Sequence, residues 1–226
     1  MRGVTENTGA VLEAISNLES LKPYVLVGGT ALSLQLGTRE SEDLDFMSWC
    51  NNPNDKREVD WFNINKELES VGTIENVNIL DIDHVEFILN GVKLSFYANP
   101  NKSPVQEEVP FLNNIRLADI RSIGAMKMEV MLRRSKFRDY YDIYSIMKRG
   151  VDINEMIALA LIYSGHRLKS KNVIARLTRS DRFIPDRSFA ALKPIYDISP
   201  KDIEDEIKRG IENSPLQIKK SKGLKR

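Results

Sequence analysis

Residues 27–46 read VGGTALSLQLGTRESEDLDF, and this stretch decides the fold. Just before it, Tyr24 to Val27 is a short apolar run of the length of a buried strand. Gly28 and Gly29 break that strand and open an amphipathic helix, after which a second strand carries Asp43 and Asp45. Successive side chains of a strand alternate faces, so Asp43 and Asp45 point the same way. Two carboxylates meeting there are hard oxygen ligands suited to Mg²⁺, which binds phosphate oxygens while keeping some of its waters. Gly28 and Gly29 let backbone approach a ligand closely, and amides at a helix N-terminus attract anions such as a triphosphate. The segment thus sets a phosphate cradle beside a metal pair. The implied chemistry is metal-assisted transfer of a nucleotidyl group. Taken singly, each motif also reads as plain structure, a tight turn and a solvated strand end, so the specificity lies in their joint spacing.

A second block, DIRSIGAMKMEVMLRRSKFRDYYDIYSIM (Asp119–Met147), carries further charge in apolar surroundings. Lys127 stands among Ile123, Ala125, Met126, Val130 and Met131, so its helix is mostly buried around one basic group. Buried lysines are uncommon unless paired, and a triphosphate or Asp142 is the natural partner. Asp139 and Asp142 sit three apart, on neighbouring faces of the next helix. An alternative is purely structural, with Arg138 and Asp142 tying two helices together by an ion pair.

These two blocks resemble the nucleotidyltransferase family of the AbiEii/AbiGii toxins, a branch of the DNA-polymerase-beta-like nucleotidyltransferases. The family pattern is a Gly-Gly-Thr/Ser turn, a short helix, an Arg-x-Ser approach and an Asp-x-Asp strand. Here it is matched by Gly28-Gly29-Thr30, Ala31–Leu36, Arg39-Glu40-Ser41 and Asp43-Leu44-Asp45, and later by Lys127, Arg138, Asp139 and Asp142. The resemblance covers roughly residues 21–148. It implies that Asp43 and Asp45 hold Mg²⁺, that Gly28, Gly29 and Thr30 bind the β- and γ-phosphates, and that Lys127, with Arg39 or Ser41, neutralises phosphate charge. Arg138 and Asp142 join the nucleotide-binding set. An NTP is then the substrate, a tRNA 3′ end or other RNA the acceptor, and a cognate antitoxin the partner, as in a bacterial toxin–antitoxin or phage-defence pair. Two rival readings are an enzyme that nucleotidylates a protein hydroxyl and a nucleotide-binding protein that has lost turnover.

The loss of turnover is suggested by one departure. The superfamily usually carries a third carboxylate on a neighbouring strand, and the matching position in VKLSFYA (92–98) holds Ser95. A hydroxyl is a weak metal ligand and no base near neutral pH. Counting back through the Asn90-Gly91 turn pairs Leu89 with Val92 and Glu86 with Ser95, which puts Glu86 on the face of Ser95. Glu86 is therefore a candidate replacement carboxylate, against the simpler expectation that it faces solvent. Asp81 and Asp83 have weaker claims.

Composition excludes several classes. The net charge of +1 gives no global polybasic signature, so RNA would need a local patch. Candidates are Arg133–Arg138, a stripe from His166 to Arg182 and the tail IKKSKGLKR (218–226). No apolar run is long enough for a membrane span, and the N-terminus lacks the apolar stretch of a signal peptide. Cys50 stands alone, so no internal disulfide forms and a reducing cytoplasm fits. The two histidines, His84 and His166, lack zinc-ligand spacing and read as ordinary surface residues.

The pattern predicts an α/β (α+β) fold: a nucleotidyltransferase-like mixed β-sheet core with helices, followed by a C-terminal helical bundle. Helices are expected at about 5–20 and 56–71 and a β-rich stretch at 76–97. Further helices are expected at 119–133, 138–148, 153–168, 171–180 and 200–211. The domain reading is a core over residues 1–115, a helical domain over 116–212 that completes the cleft, and a basic tail over 213–226 that reads as disordered.

Overall fold

Alternation of apolar and polar side chains builds the central sheet and fixes its register. In a computed structural model that describes residues 1–52, 54–165 and 167–213, the chain forms two compact units, Met1–Asp119 and the part from Ile120 on. The first contains α1 (Glu6–Ile15), β1 (Val25–Val27), α2 (Gly28–Leu36), β2 (Leu44–Trp49) and α3 (Trp61–Glu69), then β3 (Ile74–Asp81), β4 (His84–Leu89), β5 (Val92–Asn99), β6 (Glu108–Leu112) and β7 (Ile115–Ala118). Its seven strands make one mixed sheet in the order β3-β4-β5-β2-β1-β7-β6. The mixed α/β core expected from the sequence is thus present.

On one face of β2, β5 and β4, Leu44, Phe46, Leu94, Phe96, Val85 and Phe87 are fully buried, and Phe96 packs against Tyr24, Phe46 and Phe87. Burying each phenylalanine contributes about 1.5–3 kcal/mol. A slip of one residue would turn all of them to the other face, so the apolar alternation locks the polar face as well. On that polar face Asp45 pairs with Ser95, and Ser95 pairs with Glu86, in one row across three strands. The Asn90-Gly91 turn supplies the positive φ angles of a two-residue hairpin (+48° and +75°) and pairs Leu89 with Val92 as expected.

Several boundaries differ from the sequence reading. The leading helix stops at Ile15, where the Ser16 hydroxyl donates to the Glu13 carbonyl, and a 3₁₀ turn follows at Glu19–Leu21. The helix expected from Lys56 begins only at Trp61, because the Val59 amide is bonded to the Ile82 carbonyl beside the β3–β4 turn. Asp43 lies one residue ahead of β2 rather than within it. Strands β6 and β7 were not expected at all; Pro110 sits in β6, which is tolerated because β6 is a sheet edge.

The second unit holds α4 (Ile120–Val130), α5 (Phe137–Lys148), α6 (Ile153–Tyr163), α7 (Ser170–Leu177) and α8 (Pro200–Glu212), close to the expected helices. α6 ends five residues early, at a turn in which Gly165 adopts φ +60°. α5 is the central element: Tyr140, Tyr141, Ile143 and Ile146 are fully buried, with Tyr140 stacked on Phe183 and Tyr141 against Phe189. α4 approaches α6 at Gly124, where an added Cβ would meet Met156 Sδ at 2.3 Å. Residues 214–226, with most of the expected basic tail, and His166 lie outside the described residues. No helix among the described residues is long and apolar enough to cross a membrane.

Candidate functional site

Val27 and Asp45 are paired residues of β1 and β2, and Val27 is also the residue from which α2 starts. This places the Asp45 carboxylate at the N-terminus of α2, a helix with no side-chain cap and no acidic residue in its first turn. The approach is close enough to require glycine. A Cβ on Gly28 would lie 2.7 Å from Asp45 Oδ2, and Gly28 has φ +69°, a conformation side chains disfavour. A Cβ on Gly29 would lie 2.6 Å from an Arg39 guanidinium nitrogen and 3.3 Å from Ser41 Oγ. The two glycines therefore serve different neighbours.

Arg39, Ser41 and Thr30 are all buried. Arg39 donates to the Glu40 carbonyl at 2.8 Å, so its guanidinium lies under the loop. The Thr30 hydroxyl contacts both Ser41 Oγ (2.9 Å) and the Asp43 carbonyl. Thr30 is the donor toward both, its single proton shared between the Ser41 hydroxyl and the Asp43 carbonyl. These three residues shape the loop that delivers Asp43, while Asp43 itself is exposed and Asp45 half-buried.

The rows beside Asp45 hold further polar groups. Ser95 is wholly buried, and its Oγ has no hydrogen-bond partner of normal geometry among the described residues. Glu86 accepts from Lys93 Nζ at 3.0 Å and lies 3.6 Å from His84 Nε2. Burial acts to lower the Lys93 pKa, but the bond to Glu86 and the charges of Glu86, Asp43 and Asp45 outweigh it and hold the ammonium above its usual range. Burial also pushes the Tyr97 phenol up, the charge on Asp45 adds to the rise, and the nearby Ser95 hydroxyl offsets part of it. His84 stacks on Tyr97 with ring centroids 4.1 Å apart, so it is a partner in this polar face rather than an isolated surface group. Sequence reasoning missed Lys93 and Tyr97. The signal was available, since both share the face of Ser95 by period-two alternation.

In the helical unit, Lys127 of α4 reaches two carboxylates of α5: Asp142 Oδ2 at 2.7 Å and Asp139 Oδ1 at 3.1 Å. Arg134 Nε adds a bond to Asp139 Oδ2 at 3.2 Å. Lys127 is buried and both aspartates are fully so. The expected Lys127–Asp142 pairing is present, and Asp139 belongs to it equally. Arg138 does not join this group; its guanidinium binds Asp186 and the Ser188 hydroxyl (3.1 Å), which also rules out the suggested Arg138–Asp142 tie. Two surface cavities, of about 260 and 490 Å³, are lined by neither group.

Does this chemistry suit a divalent cation? The donor set is two hard carboxylates at a turn from which a Cβ is excluded, and this fits one ion sharing its shell with phosphate and water. No cluster of three or more His, Cys, Asp or Glu residues able to hold a metal occurs among the described residues.

Comparison with known proteins identifies the family and the fold. The sequence model of the family described as "Nucleotidyl transferase AbiEii toxin, Type IV TA system" matches residues 10–216. The "Uncharacterized protein aq_aa25" of Aquifex aeolicus (strain VF5) is 27% identical, covering 93% of this chain and 97% of that protein. The crystal structure of JHP933 from Helicobacter pylori shares the fold with a TM-score of 0.56 at 20% identity, covering 99% of this chain and all of that one.

Proposed function

The chain belongs to the AbiEii toxin family of nucleotidyltransferases, and from that premise we propose that it moves an NMP group from an NTP to an acceptor hydroxyl with Mg²⁺. The acceptor in this reading is an RNA 3′ end, that of a tRNA in particular, and an antitoxin partner restrains the activity. One observation carries the reading: Asp45 is held against the glycine turn at the N-terminus of α2, within 2.7 Å of where a Gly28 Cβ would stand. The carboxylate and the phosphate-binding amides are thereby forced into one small volume.

Each residue is given a role in this reading. Asp43 and Asp45 would hold the cation, which when bound supplies Lewis acidity and a template for the triphosphate. The amides of Gly28 and Gly29 receive the β- and γ-phosphates. Thr30, Ser41 and Arg39 keep the loop of Asp43 in place through the bonds described above. Lys127, held within its own unit by Asp139 and Asp142, is the residue that the family motif assigns to neutralising phosphate charge. The acceptor hydroxyl attacks the α-phosphorus, its proton leaves to solvent or to a carboxylate, and pyrophosphate departs.

The test is direct. Purified protein is incubated with Mg²⁺ and each α-³²P-labelled NTP in turn, first with total tRNA and then with protein extract. Label on tRNA with one or more NTPs is expected. Label on protein alone transfers the reading to a protein-modifying enzyme. Nucleotide binding with no label on either favours the turnover-deficient alternative, which the neutral Ser95 supports.

A further inference from the structure

The polar face of β2, β5 and β4 contains an inconsistency when it is read as a site for two metal ions. Two-metal phosphoryl transfer needs carboxylates enough to hold a pair of divalent cations about 4 Å apart. Here the position beside Asp45 is Ser95, wholly buried, with its Oγ lacking a partner of normal geometry. The next residue in the row, Glu86, is engaged by Lys93 at 3.0 Å. Lys93 precedes Leu94, the partner of Leu44, and so lies alongside Asp43. This lysine is close enough to Asp43 and Asp45 to feel the charge of both.

We infer that this site takes one divalent cation rather than two, and that the Lys93 ammonium, positioned by Glu86, fills the charge position of the second. The inference rests on the nucleotidyltransferase reading above and deepens it. Its logic is the donor set. Asp43 and Asp45 supply hard oxygens for one Mg²⁺ that shares its shell with phosphate and water, while Glu86 is bonded to Lys93. A second divalent ion would have to sit against the ammonium, with only a hydroxyl at Ser95 to hold it. A lysine ammonium is a compact point charge with three donors, suited to phosphate oxygens and unable to share a site with a cation. Glu86 is then a positioning residue: it keeps Lys93 from collapsing onto Asp43 and Asp45. The chain retains the face of the superfamily site with its charges rearranged.

Metal stoichiometry decides the matter without any turnover. The full-length protein is saturated with the α,β-methylene analogue of each NTP in turn, titrated with Mn²⁺, and the bound ion counted by electron paramagnetic resonance. One magnetically isolated Mn²⁺ per protein is expected with the accepted nucleotide. The double variant Lys93→Met, Ser95→Asp should bind two and show a spin-coupled pair. Glu86→Gln should weaken Mn²⁺ binding by about 10- to 100-fold, the usual cost of losing an outer-sphere partner. Two coupled ions in the wild type would overturn the inference while leaving the nucleotidyltransferase reading intact. No bound ion with any of the four analogues would remove the metal site and this inference together. A folded double variant that still binds one ion would take the role away from Lys93.

Discussion

In the sheet unit Asp43 is exposed and Asp45 half-buried, and the nearby Lys93 is bonded to Glu86 instead of to either of them. In the helical unit Asp139 and Asp142 are fully buried and both lie within 3.1 Å of Lys127. The same residue types thus serve two different ends. A buried lysine with two carboxylates and an arginine is neutral as a group and complete without a ligand, so it stabilises a helix pair whatever else it does. The carboxylates at the glycine turn instead lie by a helix N-terminus, one exposed and one half-buried, where a ligand can reach them. Buried, mutually paired charge holds structure, whereas charge open to solvent is accessible to a ligand.

The comparison breaks most visibly at Asp45. Asp45→Asn, and likewise Asp43→Asn, should reduce nucleotidyl transfer by about 10³-fold or more, since several kcal/mol of metal-borne stabilisation is lost. Melting temperature should hardly change. Wild-type rates with Mg²⁺ in both variants would show that the sheet face is not the site.

Next in size comes the helical cluster, where the damage should fall on stability. Asp142→Asn leaves Lys127 short of a charge partner in a buried place and should cost about 3–5 kcal/mol in urea unfolding. The double variant Lys127→Met, Asp142→Leu should recover most of that loss, because an apolar pair replaces a buried ion pair at little cost. Transfer should stay low in the double variant if Lys127 also serves the phosphates. A stable double variant with wild-type transfer would make the cluster wholly structural.

A smaller effect separates two glycines of positive φ in the sheet unit, one at each end of α2. Gly28→Ala forces a Cβ to 2.7 Å from Asp45 Oδ2, and a displacement of about 1 Å at a catalytic group costs about 10²-fold. Gly37 has φ +61° at the C-terminus of α2, and its Cβ would meet the Arg2 side chain. Gly37→Ala should therefore cost about 1–2 kcal/mol of stability and leave transfer nearly unchanged. Equal losses of transfer in the two variants would mean that Gly28 is only a turn.

How far the sequence led can be judged from the same residues. Gly28, Gly29, Asp43 and Asp45 were legible because their geometry is local, and the Glu86–Ser95 pairing was legible because an Asn-Gly turn fixes register over a few residues. The α5 carboxylates were half legible: the partner of Lys127 was named as Asp142, but that Asp139 faces the same ammonium depends on how α4 packs on α5. Burial of Arg39 against Gly29 could not be read, since nothing local says which way an arginine in a loop turns. Strands β6 and β7 were hidden by the proline and acidic residues of Glu107–Leu112, a composition that marks a loop unless a sheet edge is there to receive it. Long-range contacts decided each miss.

The smallest expected effect concerns Arg138, which the motif assigns to the nucleotide and the structure joins to Asp186 and Ser188. Hydrogen bonding from Arg138 holds the Asp186 carboxyl below its ordinary value. A carboxyl depressed in the folded state stabilises the fold above its unfolded pKa of about 3.9, and that contribution disappears as pH falls through the folded value. Arg138→Gln should thus lower stability by no more than about 1 kcal/mol at neutral pH, as partly exposed pairs do. In strong acid the variant and the wild type should unfold alike. Nucleotide affinity is the second readout: an unchanged Kd for the α,β-methylene nucleotide would place Arg138 with the structural charges of its unit. A rise of tenfold or more, with the acid behaviour unaltered, would instead give Arg138 a share in the substrate and weaken the division between buried and accessible charge.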